Sequence, residues 1–328
     1  MAEATRIGLV GAGGVGQRHA RVLGGFADVE LAAMTDLDAA LANRLAAEHG
    51  ARGYDGVERM LDGEELDAVY ICVPPFAHGP PERAVLAAGL PFFVEKPLAV
   101  DLPTATAIAD EVRAAGVVTA AGYHWRYLDT VEAAAAQLRE TQPRLLVGAW
   151  LDKLPPPAWW SDRTRSGGQT IEQTTHVLDV MHVLAGSVDQ VYAVGARGQC
   201  DGAEDTAVDD VSAATLRFAN GAIGSLASTC LLGAKHRAGL EVFGDGLALS
   251  LSETELALDR GDGAAVTPAA FDAKRQVDRD FVDAVQGRGN RIRAPYDEAL
   301  ATHRLACALA LSAERGEAVE PASVEAHA

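Results

Sequence analysis

The feature that most constrains this chain is a run of glycines directly after a short apolar segment. Residues 11–16 read Gly-Ala-Gly-Gly-Val-Gly, so Gly11, Gly13 and Gly16 fit the spacing GxGxxG. Residues 6–10 have the composition of a buried strand, and a helical pattern runs from 15 to 23. The first glycine permits a tight turn, and the third lets the helix pack on the strand. The pattern therefore predicts the first strand–helix unit of an open parallel sheet.

The same alternation of apolar runs and helical patterns continues through the first third of the chain. Further strands are predicted at 29–35, 68–73, 91–94 and 117–121. Helices are predicted at 38–49, 80–88 and 104–115. Continuous runs of valine, isoleucine and alanine separated by helices are typical of parallel strands covered on both faces. We therefore expect an N-terminal doubly wound α/β domain of the Rossmann type over residues 1–122.

The sequence pattern changes near Tyr123, after which longer predicted strands follow one another closely. Strands are predicted at 144–152, 190–197, 211–218, 222–231 and 240–243, and helices at 131–140, 272–286 and 297–313. Asn220-Gly221 suits a hairpin turn between two of the strands, because both residues tolerate positive φ. Residues 123–328 are therefore predicted to form an α+β domain on an open, mainly antiparallel sheet. Helix 297–313 could pack back between the two domains.

The charge balance limits the classes of partner. The 328 residues include 46 acidic and 28 basic side chains, for a formal net charge of -18. Nucleic acid and anionic lipid both require positive surface, so neither is an expected partner. No stretch approaches the ~20 consecutive apolar residues of a membrane span, and the first residues lack a secretory pattern. The chain is predicted to be soluble and cytoplasmic.

The four cysteines do not form a recognisable framework. Cys72, Cys200, Cys230 and Cys307 are widely spaced and contain no CxxC pair. We interpret them as reduced, buried apolar residues and not as disulfide or zinc ligands. No HExxH motif is present either, so no metal site is predicted.

The glycine turn also predicts a cofactor. The second glycine lets backbone approach a pyrophosphate, and the N-terminus of the following helix favours phosphate charge. Asp36 ends the second predicted strand, 20 residues after Gly16. A carboxylate there can accept hydrogen bonds from the adenosine ribose hydroxyls and repel a 2′-phosphate, so we predict NAD in preference to NADP. The alternative is that Asp36 only caps the helix that begins at Asp38.

Three further segments carry a family resemblance. Residues 72–78, Cys-Val-Pro-Pro-Phe-Ala-His, and 94–99, Val-Glu-Lys-Pro-Leu-Ala, resemble the cofactor-facing loop and EKP motif of the glucose–fructose oxidoreductase and inositol dehydrogenase (Gfo/Idh/MocA) family. Residues 166–179 resemble that family's GG-x-L-x-D-x-x-x-H-x-x-D helix. With the glycine turn, these motifs fall in the family's order. The resemblance implies a set of cofactor-binding residues: Gly11, Gly13, Gly14, Val15, Gly16, Asp36, Val73, Pro74, Pro75, His78, Glu95 and Lys96.

The third segment holds candidates for proton transfer. Oxidation of an alcohol by hydride transfer needs a base to take the hydroxyl proton. Glu172, His176 and Asp179 are spaced i, i+4 and i+7, so on a helix they share one face, where a carboxylate can orient an imidazole. The resemblance implies that His176 is the proton acceptor. Glu172 is a further candidate catalytic residue. The family commonly has Asp at this position, so the longer side chain of Glu172 could reach a different partner.

Lys96 is also a candidate catalytic residue. It follows a predicted strand of the doubly wound domain, and ligands bind at such strand ends. Pro97 disfavours a continuing helix and fixes the local turn. The resemblance implies that Lys96 positions the substrate hydroxyl and joins the proton relay with His176.

Weaker candidates surround these residues. Tyr123 and Arg126 follow the last strand of the first domain, and the matching family segment lines the active site. Trp160 and Arg163 precede the glycine pair at 167–168, where they could stack on a sugar ring or equally belong to the core or an interface. The predicted substrate-binding set is Lys96, Tyr123, Arg126, Trp160, Arg163, Thr175, His176 and Asp179. His78 could cap the following helix instead of binding cofactor.

The resemblance implies NAD-dependent hydride transfer to or from a sugar, inositol or related cyclic polyol. It also implies that the second domain binds this substrate and forms a homodimer or homotetramer through its sheet. Two alternatives stay open. A redox-neutral enzyme would oxidise its substrate transiently for elimination, hydrolysis or epimerisation. A non-catalytic dinucleotide sensor would keep the fold and lose the chemistry.

Overall fold

The computed structural model of the chain describes residues 4–198 and 207–324. The chain divides into two compact units. The first unit comprises the segments up to Ala99, 104–122 and 274–300. The second comprises 100–103, 123–273 and the segment from Ala301 onward.

The first unit contains a six-stranded sheet in the order β3-β2-β1-β4-β5-β6. Its strands are β1 Thr5–Val10, β2 Val29–Thr35, β3 Arg52–Tyr54, β4 Ala68–Ile71, β5 Phe92–Val94 and β6 Thr119–Ala121. Each neighbouring pair is parallel. Ile7 and Leu9 of β1 and Val69 of β4 are fully buried, as expected for strands covered on both faces. This order is that of a Rossmann fold, which confirms the predicted doubly wound domain.

Helices connect these parallel strands. They are α1 Gly14–Leu23, α2 Ala39–His49, α3 Val57–Gly63, α4 Pro80–Ala87 and α5 Leu102–Ala115. The sequence analysis did not predict β3 or α3. Arg52-Gly-Tyr54 is only three residues long and carries one aromatic side chain, so neither length nor alternation marks it as a strand.

The second unit contains an eight-stranded sheet in the order β14-β13-β12-β11-β7-β10-β9-β8. Its strands are β7 Leu145–Leu151, β8 Val188–Ala196, β9 Val211–Phe218, β10 Ile223–Thr229, β11 Arg237–Gly244, β12 Leu247–Ser252, β13 Glu255–Asp259 and β14 Ala265–Pro268. Among these strands of the described residues, β7 and β10 pair in parallel and the other neighbouring pairs are antiparallel. The predicted mainly antiparallel sheet is therefore confirmed, although β12, β13 and β14 were not predicted.

The predicted hairpin at Asn220-Gly221 joins β9 to β10 in antiparallel register. Gly221 supplies the positive φ of +86°, whereas Asn220 does not adopt a positive φ. Asn220 contributes through its side chain instead, because its Oδ1 accepts a hydrogen bond of 2.9 Å from the backbone of Ala222. Only one of the two residues therefore uses the conformational freedom on which the prediction rested.

Helices cover one face of this sheet. They are α6 Asp129–Glu140, the short α7 Arg163–Ser166 and α8 Thr175–Ala185, which is preceded by a π-helical turn at Thr170–Thr174. Gly148 of β7 lies directly beneath α8, because a Cβ there would fall 2.8 Å from the Val177 side chain. The opposite face of the sheet exposes apolar side chains, including Tyr192, Val194 and Ile223.

The last two helices are α9 Ala273–Val285 and α10 Tyr296–Arg315. The prediction assigned all of 123–328 to the second domain, but segment 274–300 belongs to the first unit. Phe281 of α9 is fully buried and packs edge-on against Tyr70 and Phe93, with ring centroids 5.4 and 5.9 Å away. An amphipathic pattern marks an apolar face without saying which sheet covers it, so the sequence placed this segment wrongly.

Candidate functional site

The predicted cofactor residues of the first unit lie after four strands of the parallel sheet. Gly11 follows β1, Asp36 follows β2, Val73 follows β4 and Glu95 follows β5. The carboxyl ends of parallel strands meet at one edge of a sheet, so these positions share that edge. The strand order reverses between β1 and β4, which is the switch point where open α/β sheets bind ligands.

The glycine turn leaves no room for side chains at two of its positions. Gly11 has a φ of +96°, and a Cβ there would overlap the carbonyl oxygen of Cys72. A Cβ at Gly16 would overlap the carbonyl oxygen of Gly11. By contrast, a Cβ at Gly13 would have no atom within 4 Å, and no side chain caps α1 at this residue. An open glycine surface at an uncapped helix N-terminus fits the pyrophosphate of a dinucleotide.

Asp36 holds the turn and the next loop together. Its Oδ2 accepts a hydrogen bond of 2.7 Å from the backbone of Ala12, and its Oδ1 accepts one of 2.9 Å from the backbone of Asp38. Asp38 is itself the N-cap of α2, and accepts from the backbone of Ala40 and Leu41. The alternative that Asp36 caps this helix is therefore wrong, and its carboxylate lies beside the glycine turn.

The loop after β4 contains four predicted cofactor residues, Val73, Pro74, Pro75 and His78. Pro75 begins a 3-10 turn that ends at Ala77. His78 is buried, and its Nδ1 lies 2.6 Å from Oε1 of Glu82. The other oxygen of Glu82 accepts a hydrogen bond of 2.6 Å from the backbone of Gly79, the N-cap residue of α4. Glu82, and not His78, therefore supports the start of this helix.

The EKP segment follows β5. Glu95 is buried and its Oε2 accepts a hydrogen bond of 3.0 Å from the backbone of Lys96. Its Oε1 accepts from Arg18 and His19 of α1, at 2.7 and 3.0 Å. Lys96 is half-buried and forms a cis peptide bond with Pro97. The sequence analysis did not identify Arg18 and His19, although they lie one helical turn after the motif glycines.

Aromatic rings surround His176 in the second unit. The rings of Trp150 and Trp125 are nearly parallel to the imidazole, with centroids 5.8 and 6.3 Å away. The rings of His124 and Tyr123 approach edge-on at 4.8 and 6.2 Å. The side chain is largely buried, with 6% of the residue exposed. This packing holds the imidazole in one orientation, as a positioned acid–base group requires.

Glu172 lies on the π-helical turn that precedes α8, so the expected α-helical spacing from Glu172 to His176 is wrong. A π turn adds a residue to the helical repeat, and hydrophobic periodicity alone does not reveal such an insertion. Glu172 Oε2 accepts a hydrogen bond of 2.9 Å from Nε1 of Trp160. Trp160 is 1% exposed and packs against Val208 and Cys230. The alternative that Trp160 belongs to the core is the one that the geometry favours.

Arg126 and Asp179 form a buried ion pair. Arg126 donates from Nε to both Asp179 oxygens at 3.1 and 2.9 Å, and from Nη2 to Oδ1 at 2.7 Å. Thr302 Oγ1 donates a further hydrogen bond of 2.6 Å to Oδ1. Asp179 is fully buried, and both of its oxygens accept hydrogen bonds from protein donors. Its geometry fits a residue that orients Arg126 and not one that contacts substrate directly.

Tyr123 and Thr175 are also fully buried, and their hydroxyl oxygens lie 3.1 Å apart. Burial raises the pKa of Tyr123, and the nearby Asp179 charge acts in the same direction. The phenol therefore stays protonated and acts as a hydrogen-bonding group. Together the two hydroxyls link the start of the second unit to the first turn of α8.

A cavity of about 470 Å³ lies in the second unit. Arg163 and Gly168 line it together with residues of β8, β9, β10 and α10. Of the predicted substrate-binding residues, Arg163 is the one in its lining; Tyr123, Arg126 and His176 are not. The structure therefore does not gather the predicted substrate residues around this cavity.

Other predicted features concern the cysteines, metals and the membrane. Cys72 and Cys230 are buried, Cys307 is half-buried, and Cys200 lies outside the described residues. Within 4–198 and 207–324, no cluster of three or more histidine, cysteine or carboxylate side chains is arranged to hold a metal ion. In the same ranges, no helix has the length and apolarity to cross a membrane.

Comparison with known proteins identifies the family. The model described as "Oxidoreductase family, NAD-binding Rossmann fold" matches residues 5–123. The model of the GFO/IDH/MocA C-terminal domain matches residues 131–249. The chain belongs to the Gfo/Idh/MocA oxidoreductase family. The first model spans the glycine turn and the EKP segment, and the second spans the π-helical turn with Glu172 and the helix α8 with His176.

Curated relatives of this Gfo/Idh/MocA protein match it over part of their length. The rhizopine catabolism protein MocA of Rhizobium meliloti is 33% identical over 189 residues, which are 55% of this chain and 57% of that protein. The myo-inositol 2-dehydrogenase of Thermotoga maritima is 27% identical over 73% of this chain and 72% of its own. The chain thus spans little more than half of the first of these relatives.

Solved structures of Gfo/Idh/MocA type share the whole fold. A levoglucosan dehydrogenase in complex with NADH has a TM-score of 0.86 and 21% identity, over 97% of this chain and 99% of that one. An NAD binding oxidoreductase from Klebsiella pneumoniae has a TM-score of 0.84 and 24% identity over the same shares. At these identities the likeness establishes the fold alone.

Proposed function

We propose that this chain is an NAD-dependent dehydrogenase acting on a CH–OH group of a sugar, inositol or related cyclic polyol. The observation that carries the proposal is the oriented imidazole of His176, enclosed by Trp125, Trp150 and His124. Membership of an NAD-binding oxidoreductase family supports it, as do relatives named inositol dehydrogenases. The whole protein's activity and substrate are part of the proposal.

Several residues would hold the cofactor, which supplies the hydride acceptor when bound. The open backbone at Gly13 and the start of α1 would receive the pyrophosphate, because unpaired N–H groups of a helix N-terminus favour anions. Asp36 would accept from the ribose hydroxyls and disfavour a 2′-phosphate, so NAD is the proposed cofactor in preference to NADP.

In the proposed mechanism, Lys96 positions the substrate hydroxyl and His176 takes its proton. A general base within hydrogen-bond reach of the hydroxyl contributes about 10²–10⁴-fold to such a reaction. Glu172 is a weaker candidate for the same step, since it already accepts from Trp160. Arg126, oriented by Asp179, is the proposed substrate-binding guanidinium of the second unit.

The test is a spectrophotometric screen at 340 nm with NAD, and separately NADP, against inositols, hexoses, pentoses, anhydrosugars and sugar acids. We expect NADH to appear with a subset of them. Lys96→Ala and His176→Gln should each lower kcat about 10²–10⁴-fold. Lys153→Ala is the matched control, because this lysine is exposed and has no proposed role.

The double variant decides whether the two residues act in one step. Residues that act as a unit are non-additive, so the double variant should be about as slow as the slower single variant. Multiplied losses would contradict a shared proton-transfer step. Conversion of substrate without NADH, with NAD retained by the protein, would indicate redox-neutral chemistry. NAD binding without turnover, unchanged in Lys96→Ala, would indicate a sensor.

A homodimer or homotetramer formed through the open sheet is part of the same proposal. Tyr192, Val194 and Ile223 expose between 42% and 57% of their surface on the face that the helices leave uncovered. Such apolar patches commonly mark interfaces. Light scattering should give a multiple of 34.2 kDa, and Ile223→Asp should reduce that mass. Leu37→Asp, at a residue 99% exposed in the first unit, should not change it.

The predicted cytoplasmic location also stays a proposal. Fractionation of the source cells with an antibody against the chain would test it, and recovery in the culture medium or periplasm would contradict it.

A further inference from the structure

Four ionisable side chains meet behind the EKP segment of the first unit. His19 of α1 lies between two carboxylates, with Nδ1 2.8 Å from Asp278 Oδ1 and Nε2 3.0 Å from Glu95 Oε1. Arg18 Nη2 donates to the same Glu95 oxygen at 2.7 Å. At most 1% of the His19 and Asp278 side chains and 8% of the Glu95 side chain are exposed. Asp278 comes from α9, more than 250 residues later in the chain.

The surroundings of His19 favour its protonated form. Burial lowers the pKa of His19, but the charge of Asp278 and hydrogen bonds to both carboxylates outweigh this and raise it to about 9. Burial raises the pKa of Glu95, but His19 and Arg18 outweigh this and lower it to about 2. The neighbouring Cys72 thiol stays neutral, because burial raises its pKa. Burial also raises the pKa of Asp278, although the charges of His19 and Arg18 act in the opposite direction. Arg18 and the protonated His19 therefore face the ionised Glu95 and the carboxyl group of Asp278.

The cluster fixes one carboxylate in one place. Glu95 is bonded through Oε1 to α1 and through Oε2 to the backbone N–H of Lys96, at 3.0 Å. Gly122 closes its other side, since a Cβ there would fall 2.5–2.8 Å from the carboxylate atoms. The imidazole of His19 is wedged between Tyr70 and Phe93, with ring centroids 5.3 and 5.0 Å away. These contacts hold both the imidazole and the carboxylate from several sides.

We propose that His19, held by Asp278, is a positioning residue that fixes Lys96 through Glu95. The inference rests on the proposed function of Lys96, because it concerns the placement of that lysine's backbone. His19 and Asp278 do not contact substrate in this scheme. They orient the Glu95 carboxylate so that its Oε2 accepts a hydrogen bond from the backbone N–H of Lys96. The backbone of Lys96 is thereby fixed, and with it the Cα from which the lysine side chain extends.

Two substitutions at one position separate the two hydrogen bonds of His19. The amide nitrogen of Gln can take the place of Nε2, so His19→Gln keeps the bond to Glu95 and loses the one to Asp278. The amide nitrogen of Asn can take the place of Nδ1, so His19→Asn keeps Asp278 and loses Glu95. A displacement of about 1 Å can cost about 100-fold in rate. We expect kcat to fall roughly 10–100-fold in His19→Asn and less than about threefold in His19→Gln.

A merely structural role would not produce this difference. Both variants lose one buried hydrogen bond, so both should lose similar thermal stability, whereas only His19→Asn should lose kcat. The Kd for NAD and the KM for substrate should stay within about threefold of wild type, because neither ligand contacts the residue. NAD binding also reports that the first unit is folded.

Asp278→Asn gives an independent readout. It keeps a hydrogen bond to His19 but removes the charge that raises the pKa of the imidazole. In wild type, deprotonation of His19 leaves one ring proton between two carboxylates, so the bond to Glu95 weakens and kcat should fall at alkaline pH. In Asp278→Asn the amide can donate to Nδ1, the remaining proton stays on Nε2 facing Glu95, and this alkaline fall should disappear. The groups that face His19 are Arg18, Glu95 and Asp278. Asp280→Asn is the control, since this buried α9 carboxylate pairs with Arg291 and Gln276 instead.

The outcomes separate the inference from the function on which it rests. If Lys96→Ala keeps its rate, the proposed role of Lys96 fails. If Lys96→Ala is inactive but His19→Asn matches His19→Gln in kcat, only the positioning role fails. If His19→Asn does not bind NAD, the pH profile of Asp278→Asn decides, and a profile identical to that of Asp280→Asn would overturn the inference.

Discussion

Removing one partner of the buried Arg126–Asp179 pair should strongly destabilise the second unit. The Asp179 side chain is fully buried and the Arg126 side chain is 5% exposed, so water cannot replace a lost guanidinium. In Arg126→Met, the donor that the carboxylate keeps among the described residues is the neutral Thr302. Breaking a buried pair in this way typically costs about 3–5 kcal/mol, because an uncompensated charge is left in the interior.

Urea unfolding followed by tryptophan fluorescence measures this loss of stability in the second unit. All four tryptophans, at 125, 150, 159 and 160, lie in the second unit. With a slope of about 3 kcal/mol per M, a loss of about 4 kcal/mol lowers the midpoint by more than about 1 M. Arg163→Met is the control, since this arginine is partly exposed, and its change should stay within about 0.5 kcal/mol.

A double variant tests the physical reason. Arg126→Met with Asp179→Leu removes both charges together, and should recover at least about 2 kcal/mol of the loss, since apolar replacement of a buried pair is often neutral. The reasoning would be refuted by a midpoint shift below about 0.3 M in Arg126→Met, or by a double variant no more stable than the single one.

Three further predictions concern the first unit. Gly16→Ala should lower both Tm and NAD affinity, because its Cβ meets the Gly11 carbonyl. Gly13→Ala should lower NAD affinity alone, and calorimetry together with NAD titration distinguishes the two variants. Asp36→Asn should raise the NADP-to-NAD ratio of kcat/KM at least about tenfold, since a nearby like charge costs about 1–4 kcal/mol; equal ratios at 340 nm would contradict this. His19 binds its proton more tightly when folded, with a pKa raised from 6.5 to about 9. Its contribution to the free energy of unfolding should therefore be complete below pH 6.5 and should fall towards pH 9. The fall should be at most about 1.4 kcal/mol per pH unit, and calorimetry should show a flatter pH dependence for His19→Gln.

Much of the first unit could be predicted from the sequence because its signals are local. A tight turn between a buried strand and a helix needs glycine at Gly11 and Gly16, and no other residue fits those backbones. The apolar runs of β1, β2 and β4 are continuous because both faces are covered. The edge on which Asp36 and Glu95 lie follows from strand direction alone.

Local signals failed where an element is short or irregular. The three-residue β3 and the exposed strand β14 have too little apolar pattern to be recognised. The π turn at Thr170–Thr174 changes the helical repeat and moves Glu172 into contact with Trp160. The sequence leaves open whether Trp160 stacks on a sugar ring or belongs to the core, because an aromatic side chain can do either and only its surroundings decide.

The sequence by itself determined the class of the first sheet, the glycine turn and the acidic residue that follows β2, because each depends on a few consecutive residues. Only the tertiary structure decided which distant charges meet. The sequence does not mark Asp278 and predicts a substrate contact for Asp179, but packing places the first beside His19 and the second beside Arg126. A buried charge is stable only beside its partner, and that partner is chosen by how the chain packs, not by its neighbours in sequence.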